Sequence, residues 1–180
     1  MKTATTFFAA LSLSLAANAA QADDFNLTSP DIKEGIPLAD IHVFKGFGCE
    51  GGNVSPALSW TNPPAGTKSF VITAYDPDAP TGSGWWHWLA FNIPADTRAV
   101  DQGASGQMPE GTVESVTDFG KTGFGGACPP KGEMHRYQFT IHALGVEKLD
   151  LGSDTNAAVV GYMTNANSLG KATITVPYTR

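Results

Sequence analysis

The chain has 180 residues, a formal net charge of −6, 42% hydrophobic residues and only 16% charged ones. That length suits one domain able to bury a sizeable core, and the charge balance excludes a disordered polyelectrolyte and a basic nucleic-acid binder. Twenty glycines and twelve prolines, spaced between short β-rich runs, predict an all-β domain with many turns.

Residues 1–22 read as a secretory signal. Lys2 gives a positive start, Phe7 to Ala17 is an apolar run too short to span a bilayer, and Ala17-Asn18-Ala19 or Ala20-Gln21-Ala22 offers small residues for cleavage. The expectation is a mature domain over 23–180 that is periplasmic or released outside the cell and has no stable membrane insertion. Export makes a disulfide the natural reading of the lone cysteine pair, Cys49 and Cys128. Such a bridge would tie the loop before Gly51-Gly52 to the turn before Pro129-Pro130.

Along the mature chain, Phe25–Leu27 and Asp40–Phe44 read as short strands. Gly46–Pro56 is a glycine-rich connection, Ala57–Trp60 an apolar run and 62–66 a turn. Three longer strands follow at Ser69–Tyr75, Trp88–Ile93 and Arg136–Leu144. Surface loops are expected over Gly103–Gly111 and Thr117–Gly126. Ala158, Val159, Tyr162, Met163, Ala166 and Leu169 recur at helical spacing, with Asp154 as a possible N-cap and Gly170 past the end, so a short amphipathic helix packs on the sheets. Ile174, Val176 and Tyr178 alternate as a final strand.

Strand parity selects the candidate site. Phe70, Ile72 and Ala74 share one face and Asp76 continues it. Leu89, Phe91 and Ile93 share another, which His87 precedes in phase. Tyr137, Phe139, Ile141 and Ala143 form a third, which His135 precedes. If the second and third strands both run antiparallel to the first, Asp76, His87 and His135 meet at one end of the buried face. Spacing alone does not fix that pairing.

Two dense motifs carry these groups, YDPDAPTGSGWWHW at 75–88 and CPPKGEMHRYQF at 128–139. Imidazoles donate hydrogen bonds to phosphate or carboxylate oxygens and do so more strongly when protonated. A neighbouring carboxylate fixes an imidazole's tautomer, prolines give a rigid wall without N–H groups, and Tyr137 with the tryptophans adds apolar area with polar edges. A small anionic ligand fits this chemistry; a purely structural network holding the strand ends is the alternative. At least one of Trp85, Trp86 and Trp88 is expected to pack in the core. His42 and His142 are expected to have no site role.

With GGNVSPALSW at 51–60, YDPDAP at 75–80, GWWHWLAFNIP at 84–94 and CPPKGEMHRY at 128–137, the chain resembles the phosphatidylethanolamine-binding protein family, in particular its bacterial Raf-kinase-inhibitor-like branch. The resemblance covers nearly the whole mature chain. It implies an antiparallel β-sandwich with Greek-key connections and an anion pocket onto which Asp76, His87, Pro129, Pro130, His135 and Tyr137 map. It also implies a binding protein that uses no cofactor and acts through protein contacts, the target being a protein in the envelope or outside the cell, and a possible homodimer. The connection Thr81–Gly84 departs from the pattern, lacking the tyrosine that eukaryotic members place there.

Enzymatic readings find less support in the residues. No hydroxyl sits in a nucleophile-elbow setting, a Cys128–His arrangement fails if that cysteine is bridged, and Asp76, His87 and His135 lack the usual zinc spacings. The expectation is therefore a binding protein and not an enzyme.

Overall fold

The computed structural model describes Met1 and residues 24–180; the expected leader, apart from Met1, lies outside the described residues. The elements run β1 (Asn26–Thr28), a 3-10 turn (Asp40–His42), β2 (Lys45–Gly46), β3 (Cys49–Glu50), β4 (Leu58–Thr61), β5 (Ser69–Asp76), β6 (Trp85–Pro94), β7 (Ala99–Val100), β8 (Val113–Glu114), β9 (Met134–Leu144), α1 (Ala157–Asn167) and β10 (Ser168–Thr179). Strands β10-β9-β5-β6-β8 form one sheet, β1-β4-β7 a second, and β2-β3 a small hairpin. All the named strand pairings are antiparallel. In the large sheet β9 returns beside β5 after β6 and β8, which is the Greek-key order.

The two sheets face one another. Leu27, Leu58, Trp60 and Val100 of the small sheet pack against Phe70, Ile72, Trp88, Phe139, Ile141, Ile174 and Val176 of the large one. Fully burying each large aliphatic or aromatic group there contributes roughly 1.5–3 kcal/mol. The opposite face of the large sheet is also covered, by Leu149, Ala157 and Val160 over Val71, Leu89, Phe91 and Leu144. The central strands are therefore buried on both sides.

That double burial corrects one of the parity readings. The rows on β5 and β9 face the inter-sheet core as expected, but the expected row on β6 is split. Leu89 and Phe91 face the helix layer, whereas Trp88, Ala90 and Ile93 face the small sheet. A register shift along β5/β6 between Phe70 and Ile72 causes the split, and a second, between Ala74 and Tyr75, changes the phase again at His87. Asn92 sits at the first with φ +61°, and its side-chain amide holds both the N–H (2.8 Å) and the carbonyl (3.1 Å) of Leu149. Period-two reading fails across a bulge because the extra residue changes the phase.

Asp40–Phe44 is not the expected strand. Its carbonyls at Asp40, Ile41, Val43 and Phe44 accept from Gly52, Val54, Asn53 and Gly51 of the glycine-rich connection. A side chain at Gly51 would lie 2.2 Å from the Val43 carbonyl oxygen, so only glycine allows this approach. Within the turn His42 is buried and its Nδ1 bonds the Val54 carbonyl at 2.6 Å, a structural role.

The C-terminal helix forms, but with another cap and another face. Asn156, not Asp154, is the N-cap, accepting from the Val159 N–H at 3.1 Å. Ala157, Val160 and Thr164 are buried, while Val159, Tyr162 and Leu169 of the expected stripe are exposed, Tyr162 by 72%. Apolar residues occur all round this helix, and the stripe with the smaller side chains permits the closer approach to the sheet. At Gly161 even a Cβ would touch the Trp86 ring at 3.5 Å. Leu169 and Gly170 belong to β10, where Gly170 pairs with Ala143.

Candidate functional site

Strand β5 pairs antiparallel with both β6 and β9. Its C-terminal end therefore meets the N-terminal ends of its two neighbours, and Asp76 comes to the same place as His87 and His135. Asp76 is buried, and its Oδ1 accepts the backbone N–H groups of Asp78 (2.8 Å) and Ala79 (3.1 Å), an Asx-type turn that starts the DPDAP loop. The loop closes at Gly84, which has φ +70°; a side chain there would lie 2.2 Å from the Tyr75 hydroxyl and 2.6 Å from the Asp76 carbonyl. Tyr75 in turn donates to the Ser83 carbonyl at 2.8 Å.

His87 reaches the site through the second register shift. Ala74 pairs with Trp88 and Tyr75 with Trp86, leaving His87 as the extra residue between them. Its Nδ1 donates to the Gly125 carbonyl at 2.7 Å, and the Gly125 N–H returns a bond to the His87 carbonyl at 2.8 Å. The glycine-rich loop after β8 thus clamps this histidine. Gly125 itself is pressed against the Phe119 ring, with no room for a side chain. Burial pushes the His87 imidazole toward its neutral form, outweighing the opposing influence of Asp76 and Asp118.

His135 opens β9, and its Nδ1 lies 2.7 Å from Asp76 Oδ2, with both side chains buried. Burial alone would depress its pKa, but the bonds and charges of Asp76 and Glu133 prevail and raise it. Its Nε2 lies 3.3 Å from the exposed Glu133 carboxylate. Next to it Arg136 is held by a bidentate pair to Asp78, at 2.7 and 2.9 Å, and gives the same carboxylate a backbone N–H. This pairing holds the Asp78 carboxyl down at about 2 and ties the DPDAP loop to β9.

Cys49 and Cys128 form the expected disulfide, 79 residues apart in the chain. It anchors the β2-β3 hairpin beside Pro129-Pro130. Between the two strands of that hairpin Phe47, at φ +53°, projects its exposed ring to stack on Phe119 and meet Phe44 at a tilt.

Asp76, His87, Pro129, Pro130, His135 and Tyr137 all line one cavity of about 210 Å³, together with Phe47, Ala79, Pro80, Thr81, Trp85, Phe119 and Cys128. Tyr137 is 2% exposed, yet its hydroxyl has no hydrogen-bond partner among the described residues. The Cys128 N–H and Asp76 carboxylate lie near it without reaching hydrogen-bond geometry. Burial and the Asp76 charge raise this phenol's pKa, so it stays a neutral donor. The Trp85 indole N–H is likewise buried and without a partner. Donor groups of Tyr137, Trp85 and His135 border a largely apolar cavity whose one buried carboxylate, Asp76, is already engaged by a histidine. Among the described residues no group of three or more His, Cys, Asp or Glu is arranged to hold a metal ion.

The three tryptophans separate by role. Trp88 is fully buried between the sheets and donates to Glu114 at 2.6 Å. Trp86 packs on Tyr75 and the helix layer. Trp85, the cross-strand partner of Asp76, faces the cavity. Sequence reasoning did not separate Trp85 from its neighbours, nor did it place Phe47 and Phe119 at the site. Trp85 comes opposite Asp76 only through the register shift that skips His87, which leaves no local signal, and for the phenylalanines, on irregular loops, no periodicity exists to read.

Comparison with known proteins agrees with this architecture. The family model described as phosphatidylethanolamine-binding protein matches residues 28–179. YbhB of Escherichia coli is 54% identical over 155 residues, covering 84% of this chain and 98% of that protein. YbcL of the same organism is 55% identical over 164 residues, covering 88% and 90%. The crystal structure of E. coli YbcL, described as a new member of the mammalian PEBP family, superposes with a TM-score of 0.86 at 52% identity over 88% of this chain and 99% of that one. A more distant relative is a putative lipoprotein, LppC of Mycobacterium tuberculosis, 33% identical over 126 residues that cover 69% of this chain and 58% of that protein. On the family-model match, the identities to both E. coli proteins and the shared fold, the chain belongs to the phosphatidylethanolamine-binding protein family.

Proposed function

We propose that the protein is an exported binding protein whose cavity takes a small anion of the phosphate, carboxylate or phosphoryl-headgroup class, and that it acts through contacts with a protein in the envelope or outside the cell. The observation that carries the anion reading is the Tyr137 hydroxyl, nine-tenths buried or more and without a partner, which faces the same cavity as His87 and His135. A buried donor left unpaired costs about 1–3 kcal/mol, which a bound anion recovers. Titration with inorganic phosphate and with phosphoethanolamine, followed through the imidazole resonances, tests this. Shifts at His87 and His135 at millimolar ligand support it, and unmoved resonances at both overturn it.

The chemistry of the site favours binding over turnover. Cys128 is held in a disulfide and has no thiolate, and Tyr137 is kept neutral. Hydrolysis of aryl phosphate or ester substrates that disappears in the His135→Ala protein would instead establish an enzyme.

Export is supported by the leader pattern at 1–22, by the disulfide, and by the lipoprotein name of the LppC relative. No helix among the described residues is long and apolar enough to cross a membrane. N-terminal sequencing of protein recovered from a periplasmic fraction tests the location and the cleavage point together. The exposed Val159, Tyr162 and Leu169 favour protein contacts; sedimentation of the wild type beside Tyr162→Asp separates a homodimer through this face from a monomer.

A further inference from the structure

The four polar groups that line the cavity without being saturated by the protein differ in kind. The Trp85 indole N–H and the Tyr137 hydroxyl are buried and without partners. The His135 Nε2–H has only the exposed Glu133 carboxylate at 3.3 Å, which a ligand can displace. All three are donors. His87 is the exception. Its Nδ1 proton is given to the Gly125 carbonyl at 2.7 Å, and that bond fixes the tautomer of the neutral ring, leaving an unprotonated Nε2 on a residue that lines the cavity. Among the described residues Nε2 has no hydrogen-bond partner. The structure thus places three donors around one small space, with His87 Nε2 as the nitrogen acceptor and the Tyr137 oxygen as a second, weaker one.

We infer that the cavity selects an anion that itself carries a proton, a hydrogen phosphate or a phosphate ester with an ionisable O–H, whose hydroxyl donates to His87 Nε2 while its other oxygens accept from His135, Tyr137 and Trp85. This rests on the anion-binding reading above and narrows it. A fully deprotonated tetrahedral anion such as sulfate has the same shape but nothing to donate. It would set an oxygen lone pair against the Nε2 lone pair, or require His87 to take up a proton.

The groups facing His87 determine whether that uptake is easy. Burial disfavours the imidazolium and prevails over the groups that favour it, which are the Gly125 carbonyl, Asp76 at the end of β5, the Gly126 backbone and Asp118 from the loop after β8. Asp76 is already engaged by His135 from β9, and the remaining neighbours, Tyr137 and Phe119, meet the His87 ring edge to face at 5.2 Å and carry no charge to offset its own. The neutral acceptor is therefore the resting form. Space is not the discriminator, since the cavity of about 210 Å³ admits either tetrahedral ion; an engineered apolar cavity of about 150 Å³ already holds benzene.

The test compares inorganic phosphate with sulfate at equal ionic strength and roughly pH 7.5, above the second ionisation of a phosphate group at about 6 to 7, so that both are chiefly dianions and differ by one O–H. Calorimetric titration of the wild-type protein should give phosphate an affinity about tenfold or more above that of sulfate, the effect expected when one buried acceptor loses its donor. Nitrogen-15 spectra of the histidines should show His87 Nε2 unprotonated in the free protein. Sulfate binding within about threefold of phosphate, or a proton on Nε2 in the free protein, overturns this inference while leaving anion binding intact. Binding of neither ion, with imidazoles unmoved, overturns the anion-binding reading and this inference with it. No variant is needed, so loss of folding cannot mimic either result.

Discussion

His135 Nδ1 meets Asp76 Oδ2 at 2.7 Å where the start of β9 faces the end of β5, and both side chains are buried. Because Asp76 Oδ1 simultaneously holds the first N–H groups of the DPDAP turn, one carboxylate sets both the loop's path and the charge of the imidazole. Replacing Asp76 by Asn keeps the shape and removes the charge. The His135 titration midpoint, raised in the wild type, should then fall to its ordinary value or below, since burial opposes protonation. A histidine NMR titration of the two proteins checks it; an unchanged midpoint would mean that Glu133 is the controlling partner.

The same shift has a stability consequence with a definite sign. A histidine whose folded pKa lies above its unfolded value near 6.5 stabilises the fold below that value, and the contribution is lost as pH rises through the folded pKa. Glu133→Gln should diminish this loss without abolishing it. Urea midpoints measured across neutral to mildly alkaline pH give the comparison.

His142 acts in the opposite direction. It is buried on the helix side of β9 with Nδ1 unpaired, and burial, followed by the Lys171 charge, lowers its pKa to about 4. Stability should therefore fall as pH drops from about 6.5 towards 4, by at most roughly 3 kcal/mol from this group. His87, shifted the same way, adds to the slope. His142→Val should flatten the acid limb of the stability profile measured by denaturant unfolding.

The Asp78–Arg136 pair is exposed, the Arg136 side chain by 56%, so its removal should cost little, and less again in high salt. The Asp78 pKa, lowered to about 2, places its contribution above the unfolded carboxylate value of 3.8, with loss as pH falls towards 2. Asp78→Asn should erase that low-pH component in thermal melts at graded pH.

Reduction of Cys49–Cys128 opens a covalent loop spanning 79 residues, which the chain-entropy model equates with roughly 4 kcal/mol of stability. The effect on the site should be local to the β2-β3 hairpin and Pro129-Pro130. A lower melting temperature in reductant, with Phe47 and Phe119 resonances perturbed more than those of Asp76, is the expected outcome.

The sequence by itself determined the β architecture, the disulfide pair and two of the three rows that lead into the cavity. Uninterrupted alternation on β5 and β9 transmits the face of Phe70 or Tyr137 directly to Asp76 or His135, and a period of two is readable wherever the ladder is regular. Tertiary structure decided the rest. His87 enters the cavity through a register shift that reverses the phase its neighbours Leu89 and Phe91 follow, and the ring is aimed by Gly125, 38 residues further on. Which stripe of α1 is buried was settled by the packing of Ala157 and Val160 against Val71, Leu89, Phe91 and Leu144 of the large sheet. Both outcomes turn on contacts between segments remote in the chain, and those contacts leave no local period to read.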